Sequence, residues 1–395
     1  MELLPPSIDD PDLLQLMGDI LTVLPPGPSR MAVRLRLMSP NASWARLVTM
    51  AQQQGVLIPL IHALRRDSLL LPVPRTAGPV DREAHVTSRL EAAWQDHLTR
   101  AADLTDQLAT IVRAFAGAGI ATMPLKGARH LAAPLTAWCP ARVMRDLDLC
   151  VPADRLAEAV TTLANLGYRP IEEGTAFDHH APAMALPGRH GAVEVHCDAL
   201  ALGGRKVLPT VTVWDLSVLL PFAGADVHVL PLHWHMLHGL LHHQVAERGH
   251  RRRILAVKGL FEFASLAADV SAPQWAEIAA HMAHKGQEVV LGSWLRQAEV
   301  LFGLPHPPGV PIDAAARDHA ADTIAFASAS YGRRRRDFIL DQMRYAFARE
   351  TLAHRYGIAE NDVGIGTAVR QSAALIGRYG LGIVARIAGR RDQAS

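Results

Sequence analysis

Two aspartates separated by one residue, Asp146 and Asp148, are the first feature of the sequence that indicates chemistry. Polar and apolar residues alternate around them, which predicts a β-strand on which both carboxylates face the same side. Paired carboxylates repel each other unless a cation lies between them, and their hard oxygen atoms suit Mg²⁺ or Mn²⁺, the ions used in phosphoryl transfer. The alternative interpretation is an edge strand whose polar side faces water.

A second alternating segment, residues 193–197, places Glu194 and His196 on one face of another predicted strand. Glu194 could supply a third carboxylate to the same metal ions, or it could accept the proton of an attacking hydroxyl group. An exposed strand with no catalytic role would show the same pattern.

Lys126 and Gly127 follow a short apolar segment and precede a predicted helix at residues 128–135. A glycine at the start of a helix allows backbone amides to approach a phosphate group, and a lysine adds a positive charge. An ordinary turn has the same composition, but the position of the pair about 20 residues before Asp146 favours a shared site.

Histidine is abundant, and two groups of histidines could bind metal ions. His235, His238 and His242 share one face of a predicted helix and could form a zinc site, although packing histidines in a cleft are favoured because no neighbouring cysteine or carboxylate completes a ligand set. The other group is the tripeptide Asp178, His179 and His180, which resembles that of the Asp-His-His phosphoesterases. Those enzymes bind two metal ions at the end of a strand, whereas residues 172–177 form a poor strand.

The segments that position these residues indicate an α/β unit between two helical regions. Short strands and helices alternate over residues 116–225, whereas residues 1–115 and 226–395 have mainly helical periodicity. The longest predicted helix spans residues 81–117, and a further helix is predicted at residues 337–356. We therefore expect an N-terminal helical region, an α/β core and a C-terminal helical region with a basic tail.

The composition is that of an ordinary globular protein. Of the 395 residues, 49% are hydrophobic and 20% are charged, which excludes a disordered or fibrous chain, and the net charge of +2 gives no general reason to expect nucleic-acid binding. No secretory signal and no run of about 18 apolar residues is seen, and the three cysteines are typical of reduced thiols, so we expect a cytoplasmic protein. Arginines between positions 370 and 391 could weakly contact an anionic membrane surface or RNA, although solvated helix faces are more often the explanation.

The order of these motifs resembles that of the uncharacterised nucleotidyltransferase family within the polymerase-β-like superfamily, over about residues 110–265. The resemblance implies an α+β fold in which a small mixed-sheet core lies between helical regions. It also implies that Asp146, Asp148 and Glu194 are catalytic and hold two divalent metal ions. The residues that it places near the nucleotide are Lys126, Gly127, Arg142, His196 and His238. The chain departs from the superfamily pattern by having Lys126-Gly127 in place of Gly-Ser, and Lys258 where an acidic residue is expected.

The resemblance predicts a metal-dependent nucleotidyltransferase. Such an enzyme would move an NMP group from NTP to an acceptor hydroxyl, with Mg²⁺ or Mn²⁺, and release pyrophosphate. The acceptor would be a small molecule, a peptide or sugar intermediate, or an RNA end. Two alternatives remain, namely a protein of this fold that binds a nucleotide or a partner with little or no turnover, and a dinuclear phosphohydrolase that uses Asp178, His179 and His180.

Overall fold

The computed structural model describes residues 8–23, 29–38, 43–69, 81–171 and 179–374. The chain divides into two units, of which one spans residues 5–328 and contains all the strands described below. The other unit contains residues 329–395. The predicted α+β class is confirmed, because many helices accompany a small mixed sheet.

Helices precede the sheet in the first unit. Asp10 and Ser43 begin two of these helices, since the side chain of each accepts a hydrogen bond from a backbone amide three residues later. The helices are α1 (Pro11–Ile20), α2 (Ser29–Met38), α3 (Trp44–Gln53), α4 (Leu57–Arg66) and α5 (Asp81–Gly117). The long helix predicted at residues 81–117 is therefore confirmed, whereas α2 was not predicted.

Five strands form one sheet in the order β1-β2-β5-β4-β3. The central pair, β2 and β5, is parallel, and the other pairings are antiparallel. The strands are β1 (Met123–Pro124), β2 (Asp146–Cys150), β3 (Arg169–Pro170), β4 (Met184–Ala185) and β5 (Ala192–His196). The two strands that were predicted from alternating polar and apolar residues, and that carry the candidate catalytic residues, are therefore neighbours at the centre of the sheet.

The apolar side chains of β2 and β5 explain why these two segments become strands. Leu147 and Leu149 of β2 and Val193 and Val195 of β5 are buried in one apolar cluster. Helix α5 contributes its buried stripe to the same cluster, through residues that include Leu104, Leu108, Ile111, Val112 and Phe115. The polar residues of both strands consequently point to the opposite face of the sheet.

Helices also connect the strands, and a hairpin follows them. The helices are α6 (Lys126–Ala132), α7 (Leu156–Asn165), α8 (Leu202–Val207) and α9 (Thr210–Leu216). The hairpin consists of β6 (Val218–Phe222) and β7 (Ala225–Val229) and was not predicted. Its turn contains Ala223 and Gly224, both at positive φ, as a two-residue hairpin turn of type I′ requires.

The helices after the hairpin complete the first unit. They are α10 (Leu232–Leu241), α11 (Gly249–Arg252), α12 (Val257–Ala267), α13 (Ala272–His284), α14 (Glu288–Phe302) and α15 (Ala314–Ala327). A π-helical turn at His242–Ala246 lies between α10 and α11. Leu260 of α12 and Trp294 of α14 share a core with Met17 of α1 and Leu60 of α4, so helices from both ends of this unit pack together.

The second unit begins with two helices, α16 (Tyr331–Ala346) and α17 (Arg349–Tyr356). The prediction of a single helix at residues 337–356 is therefore wrong. Ala348 has extended backbone angles and separates the two helices. Most of the basic C-terminal tail, residues 375–395, lies outside the described residues. Among the helices that the structure describes, none has both the length and the apolar character needed to span a membrane.

Gly191 determines how closely β5 begins beside β2. Its φ is +74°, and a Cβ atom there would lie 2.8 Å from the carbonyl oxygen of Arg145. We expect Gly191→Ala to lower the free energy of unfolding by about 1–2 kcal/mol for the positive φ and by about 1–3 kcal/mol more for the backbone contact. Urea unfolding would measure this change.

Gly188→Ala is the matched control, because Gly188 also has a positive φ but nothing lies within 4 Å of the added Cβ. Only the conformational part of the loss is expected there. Equal losses for the two variants would show that the close approach of Gly191 to Arg145 has no energetic importance.

Candidate active site

Asp148 and Glu194 face each other across the two central strands. In the parallel register of β2 and β5, Asp148 lies opposite Glu194, and Asp146 lies opposite Ala192. Asp146 and Asp148 share one face of β2, as the alternation predicts. Asp148 is only 1% exposed, whereas Asp146 and Glu194 are partly exposed.

Two cationic or ionisable side chains contact the buried carboxylate of Asp148. The Nζ atom of Lys126 donates a hydrogen bond to Asp148 Oδ1 at 2.8 Å, and His196 Nε2 lies 3.0 Å from the same oxygen. His196 Nε2 also lies 3.6 Å from Glu194 Oε2. His196 therefore sits between the two acidic residues, and Lys126 neutralises the more buried of them.

These contacts change the proton affinities of the site. Burial alone would raise the pKa of Asp148, but the hydrogen bond from His196 and the charge of Lys126 hold it well below its usual range. Burial alone would lower the pKa of Lys126, yet the charge of Asp148 raises it. Asp148 and Lys126 consequently form an ionised pair.

Asp146 has the opposite electrostatic environment. Burial and the negative charges of Asp148 and Glu194 raise its pKa, in spite of the positive charges of Lys126 and Lys258. Positive charge that would balance the three carboxylates is therefore insufficient near Asp146. A divalent cation bound by their oxygen atoms would supply it, and carboxylate oxygens are the ligands that Mg²⁺ and Mn²⁺ prefer.

The ligand geometry also suits a metal ion. One ligand atom each from Asp148, Glu194 and His196 lies within 4.8 Å of the others. Asp146 is not a member of this group, but it lies two residues before Asp148 on the same face of β2. The structure thus brings the three predicted acidic residues to one face of the sheet, and adds the predicted His196 to them.

A cavity of about 180 Å³ opens beside the aspartates. Asp146, Asp148 and Lys126 line it from the sheet side, and α10 and α12 supply other lining residues, including His238 and Lys258. Since negative and positive side chains converge on the same space, the cavity suits a charged ligand.

Gly127 and Arg142, which were also predicted to contact the nucleotide, lie together in this cavity wall. A Cβ atom at position 127 would collide with the guanidinium group of Arg142 and with Met144. The glycine therefore allows Arg142 to approach α6. Lys126, the residue before it, has a φ of +43°, which is a strained angle for a residue with a side chain.

Arg142 binds an acidic residue that the sequence analysis missed. Its Nη2 atom donates to Glu262 Oε2 at 3.0 Å, and Lys258 Nζ lies 3.8 Å from the other oxygen of Glu262. The family resemblance predicted an acidic residue at position 258, but that residue is a lysine, and Glu262 lies one helical turn after it. The unexpected lysine was the sequence signal that could have pointed to a neighbouring acidic residue. Burial alone would raise the pKa of Glu262, but Arg142 and Lys258 lower it to about 2.

The three histidines predicted on one helix face have separate partners. His238 is fully buried, its Nε2 donates to the carbonyl oxygen of Ala199 at 2.8 Å, and burial lowers its pKa to about 3. His235 Nε2 lies 3.2 Å from Nε2 of His130. These contacts favour the interpretation of His235 and His238 as packing and hydrogen-bonding residues that line the cavity.

The residues of the Asp-His-His tripeptide lie partly outside the described chain. Asp178 is not described, whereas His179 and His180 are. The ring of His180 lies 5.0 Å from that of His196, and the ring of His179 lies 5.7 Å from it. Both histidines are therefore next to the acidic cluster. The dinuclear phosphohydrolase remains an untested alternative.

Comparison with known proteins identifies the family. The family model described as Uncharacterised nucleotidyltransferase matches residues 40–303. The match covers more than half of the chain and includes the whole five-stranded sheet and both carboxylate strands. The chain therefore belongs to this family, which confirms the resemblance predicted from its motifs. No curated protein and no solved structure matches the chain.

The salt bridge between Arg142 and Glu262 allows a test of stability against pH. Glu262→Gln would leave Arg142 without its carboxylate, so we expect the free energy of unfolding to fall by about 2–3 kcal/mol at neutral pH. Because folding lowers the pKa of Glu262 from 4.5 to about 2, its contribution is complete above about pH 4.5 and is lost as the pH falls towards 2. The difference between the two proteins should accordingly shrink in acid, which urea unfolding at several pH values would measure.

Glu299→Gln provides the control, since Glu299 pairs with Arg296 at 2.8 Å but both side chains are 40% exposed. We expect a loss of only about 0–1 kcal/mol there. A pH-independent difference between wild type and Glu262→Gln would contradict the ionic interpretation.

Proposed function

We propose that this member of the nucleotidyltransferase family moves an NMP group from NTP to an acceptor hydroxyl group and releases pyrophosphate. The observation that carries the proposal is the register of β2 and β5, which sets Asp148 opposite Glu194 with Asp146 on the same face. Oxygen ligands from two neighbouring strands beside a cavity are what a pair of Mg²⁺ or Mn²⁺ ions requires.

In this proposal Asp146, Asp148 and Glu194 hold the metal ions. When bound, such ions neutralise charge on the attacked phosphate and on the leaving pyrophosphate. Lys126 now occupies one oxygen of Asp148. Its ammonium group is therefore next to the proposed metal ligands, and with nucleotide bound it would donate to a phosphate oxygen instead of the carboxylate.

Arg142 is the second cation proposed to bind the triphosphate. Its guanidinium group lines the cavity next to Gly127, and its bond to Glu262 fixes its orientation. A guanidinium group has more donors than one carboxylate can occupy, so Arg142 can bind Glu262 and a phosphate oxygen at the same time.

Glu194 is the proposed acceptor of the hydroxyl proton. Its side chain is partly exposed, unlike that of Asp148, and the neighbouring imidazole of His196 lowers its pKa and so keeps it ionised. The acceptor oxygen forms a bond to the α-phosphorus as its proton passes to Glu194. The bond between the α-phosphorus and the bridging oxygen breaks, and pyrophosphate leaves with that electron pair.

The first test of this proposal is the release of pyrophosphate from each NTP, with Mg²⁺ or Mn²⁺ and a panel of acceptors. The panel would contain small hydroxylated molecules, peptides, sugars and RNA ends. We expect metal-dependent release that falls at least about 100-fold in Asp148→Asn, because the variant loses the central carboxylate. Asp226→Asn is the control, since Asp226 is an exposed aspartate on strand β7.

If the nucleotide binds but no acceptor supports release, the protein is a binding module of the same fold. Release that is equal in wild type and Asp148→Asn would overturn the assigned site. Metal binding that disappears in Asp178→Ala and persists in Asp148→Asn would instead support the phosphohydrolase.

A second test concerns Lys126, which competes with a metal ion for Asp148. In Lys126→Met the carboxylate loses its positively charged partner, so we expect tighter binding of Mn²⁺ to the nucleotide-free protein. The same variant should have a lower kcat/KM for NTP, because the triphosphate loses a cation. Electron paramagnetic resonance of Mn²⁺ and steady-state kinetics would measure the two effects. Weaker Mn²⁺ binding in the variant would show that Lys126 does not compete with the ion.

A further inference from the structure

A second group of metal-ligating side chains lies at the π-helical turn after α10. His242 Nε2 is 3.2 Å from Glu247 Oε1, and His243 Nδ1 is 3.2 Å from Glu247 Oε2. One ligand atom from each of the three residues lies within 4.8 Å of the others. These residues come from one short segment and are distinct from the carboxylates of the sheet.

The π-helical turn is what brings both imidazoles to the same carboxylate. The amide of Glu247 donates to the carbonyl oxygen of His242 at 2.9 Å, which is a bond between residues five apart. In a regular α-helix, Glu247 would share its face with His243, four residues earlier, but His242 would point to a different side. The wider turn places Glu247 between the two histidines, and π-helical turns are often found at functional sites.

Helix α12 also has a feature that accommodates this arrangement. A Cβ atom at Gly259 would lie 2.6 Å from Nε2 of His243, so only glycine leaves room for the ring. The backbone of α12 therefore packs directly against His243. The position of the imidazole is fixed by this contact as well as by Glu247, which favours a preformed group of ligands.

The distances suit a tetrahedral ion. Zinc binds imidazole nitrogen and carboxylate oxygen at about 2.0–2.2 Å, which separates neighbouring ligands by about 3.3–3.5 Å. Both nitrogen-to-oxygen distances are 3.2 Å, although they involve different oxygen atoms of Glu247. Since one ligand atom from each residue lies within 4.8 Å of the others, side-chain movements of about 1 Å would bring the three atoms to the spacing around one ion. Two imidazoles and one glutamate are also a ligand set that zinc uses when one position stays open to water or substrate.

We propose that His242, His243 and Glu247 form a binding site for Zn²⁺ in which one coordination position stays open to water or another ligand. His242 and His243 line the same cavity as Asp146. The side chains of His242, His243 and Glu247 are 23%, 28% and 47% exposed, so an ion can enter from solvent. The site does not depend on the proposed nucleotidyl transfer.

The test is a Zn²⁺ titration of the full chain after removal of metals with EDTA, in competition with a chromogenic chelator and with excess Mg²⁺ present. We expect one tightly bound Zn²⁺ per chain. In Glu247→Gln, which keeps the shape of the side chain, and in His242→Gln, the affinity should fall at least about tenfold, because loss of a direct ligand costs at least as much as loss of an outer partner. Co²⁺ in place of Zn²⁺ should give visible absorption typical of tetrahedral coordination in the wild type, and this absorption should be lost in Glu247→Gln and His242→Gln.

Glu277→Gln is the matched control. Glu277 resembles Glu247 because it also pairs with a histidine, His233, at 3.0 Å and is 50% exposed. It differs from Glu247 in that this ion pair contains one histidine and not two. Its Zn²⁺ affinity should equal that of the wild type. A wild type without tight Zn²⁺ binding, or a Glu247→Gln variant with unchanged affinity, would overturn the proposal.

Asp148→Asn distinguishes the two metal-ligating groups. Tight Zn²⁺ binding should persist in that variant, because Asp148 belongs only to the other group. Loss of Zn²⁺ in Asp148→Asn together with its retention in Glu247→Gln would place the ion at Asp148, Glu194 and His196, and the proposed site would be wrong.

Discussion

The buried carboxylate of Asp148 is the constraint to which the rest of the candidate active site responds. A buried charge without a partner costs several kcal/mol, and a second carboxylate, Glu194, lies directly across the strands from it. Lys126 and His196 satisfy Asp148 from two sides. The strained start of α6 places Lys126, and the parallel pairing of β2 with β5 places His196. Local backbone structure and long-range strand pairing therefore both contribute to neutralising Asp148.

The helices beyond the sheet complete the charge pattern of the cavity. Arg142 belongs to the segment before β2, and its partner Glu262 belongs to α12, about 120 residues later. This salt bridge joins the core to the following helices at the cavity wall. The salt bridge depends on Gly127, because a side chain at that position would collide with the guanidinium group of Arg142. A glycine in α6 is therefore needed for the ionic contact that links the sheet side of the cavity to α12.

The sequence was sufficient to predict the local parts of the site but not their assembly. Alternation with period two put Asp146 and Asp148 on one face, and Glu194 and His196 on another strand, because side-chain direction depends only on neighbouring residues. Asp148 lies opposite Glu194 because β2 and β5 pair in parallel in one particular register. The two residues are 46 positions apart in the sequence, and no local pattern specifies that pairing. Glu262 was missed for a related reason, since its partner Arg142 is distant in sequence. The break between α16 and α17 was also missed, because no glycine or proline marks it.

The two groups proposed to bind metal ions differ in chemistry, and that difference decides which ion each would bind. The carboxylates of β2 and β5 offer mainly hard oxygen atoms, which suit Mg²⁺ or Mn²⁺, whereas two imidazoles with one carboxylate suit Zn²⁺. The π-helical turn keeps the imidazoles of His242 and His243 on Glu247, and His238, one α-helical turn earlier, is bound to a backbone carbonyl. The histidines of this segment therefore have partners other than the aspartates, and each of the two proposed ions would have its own ligands.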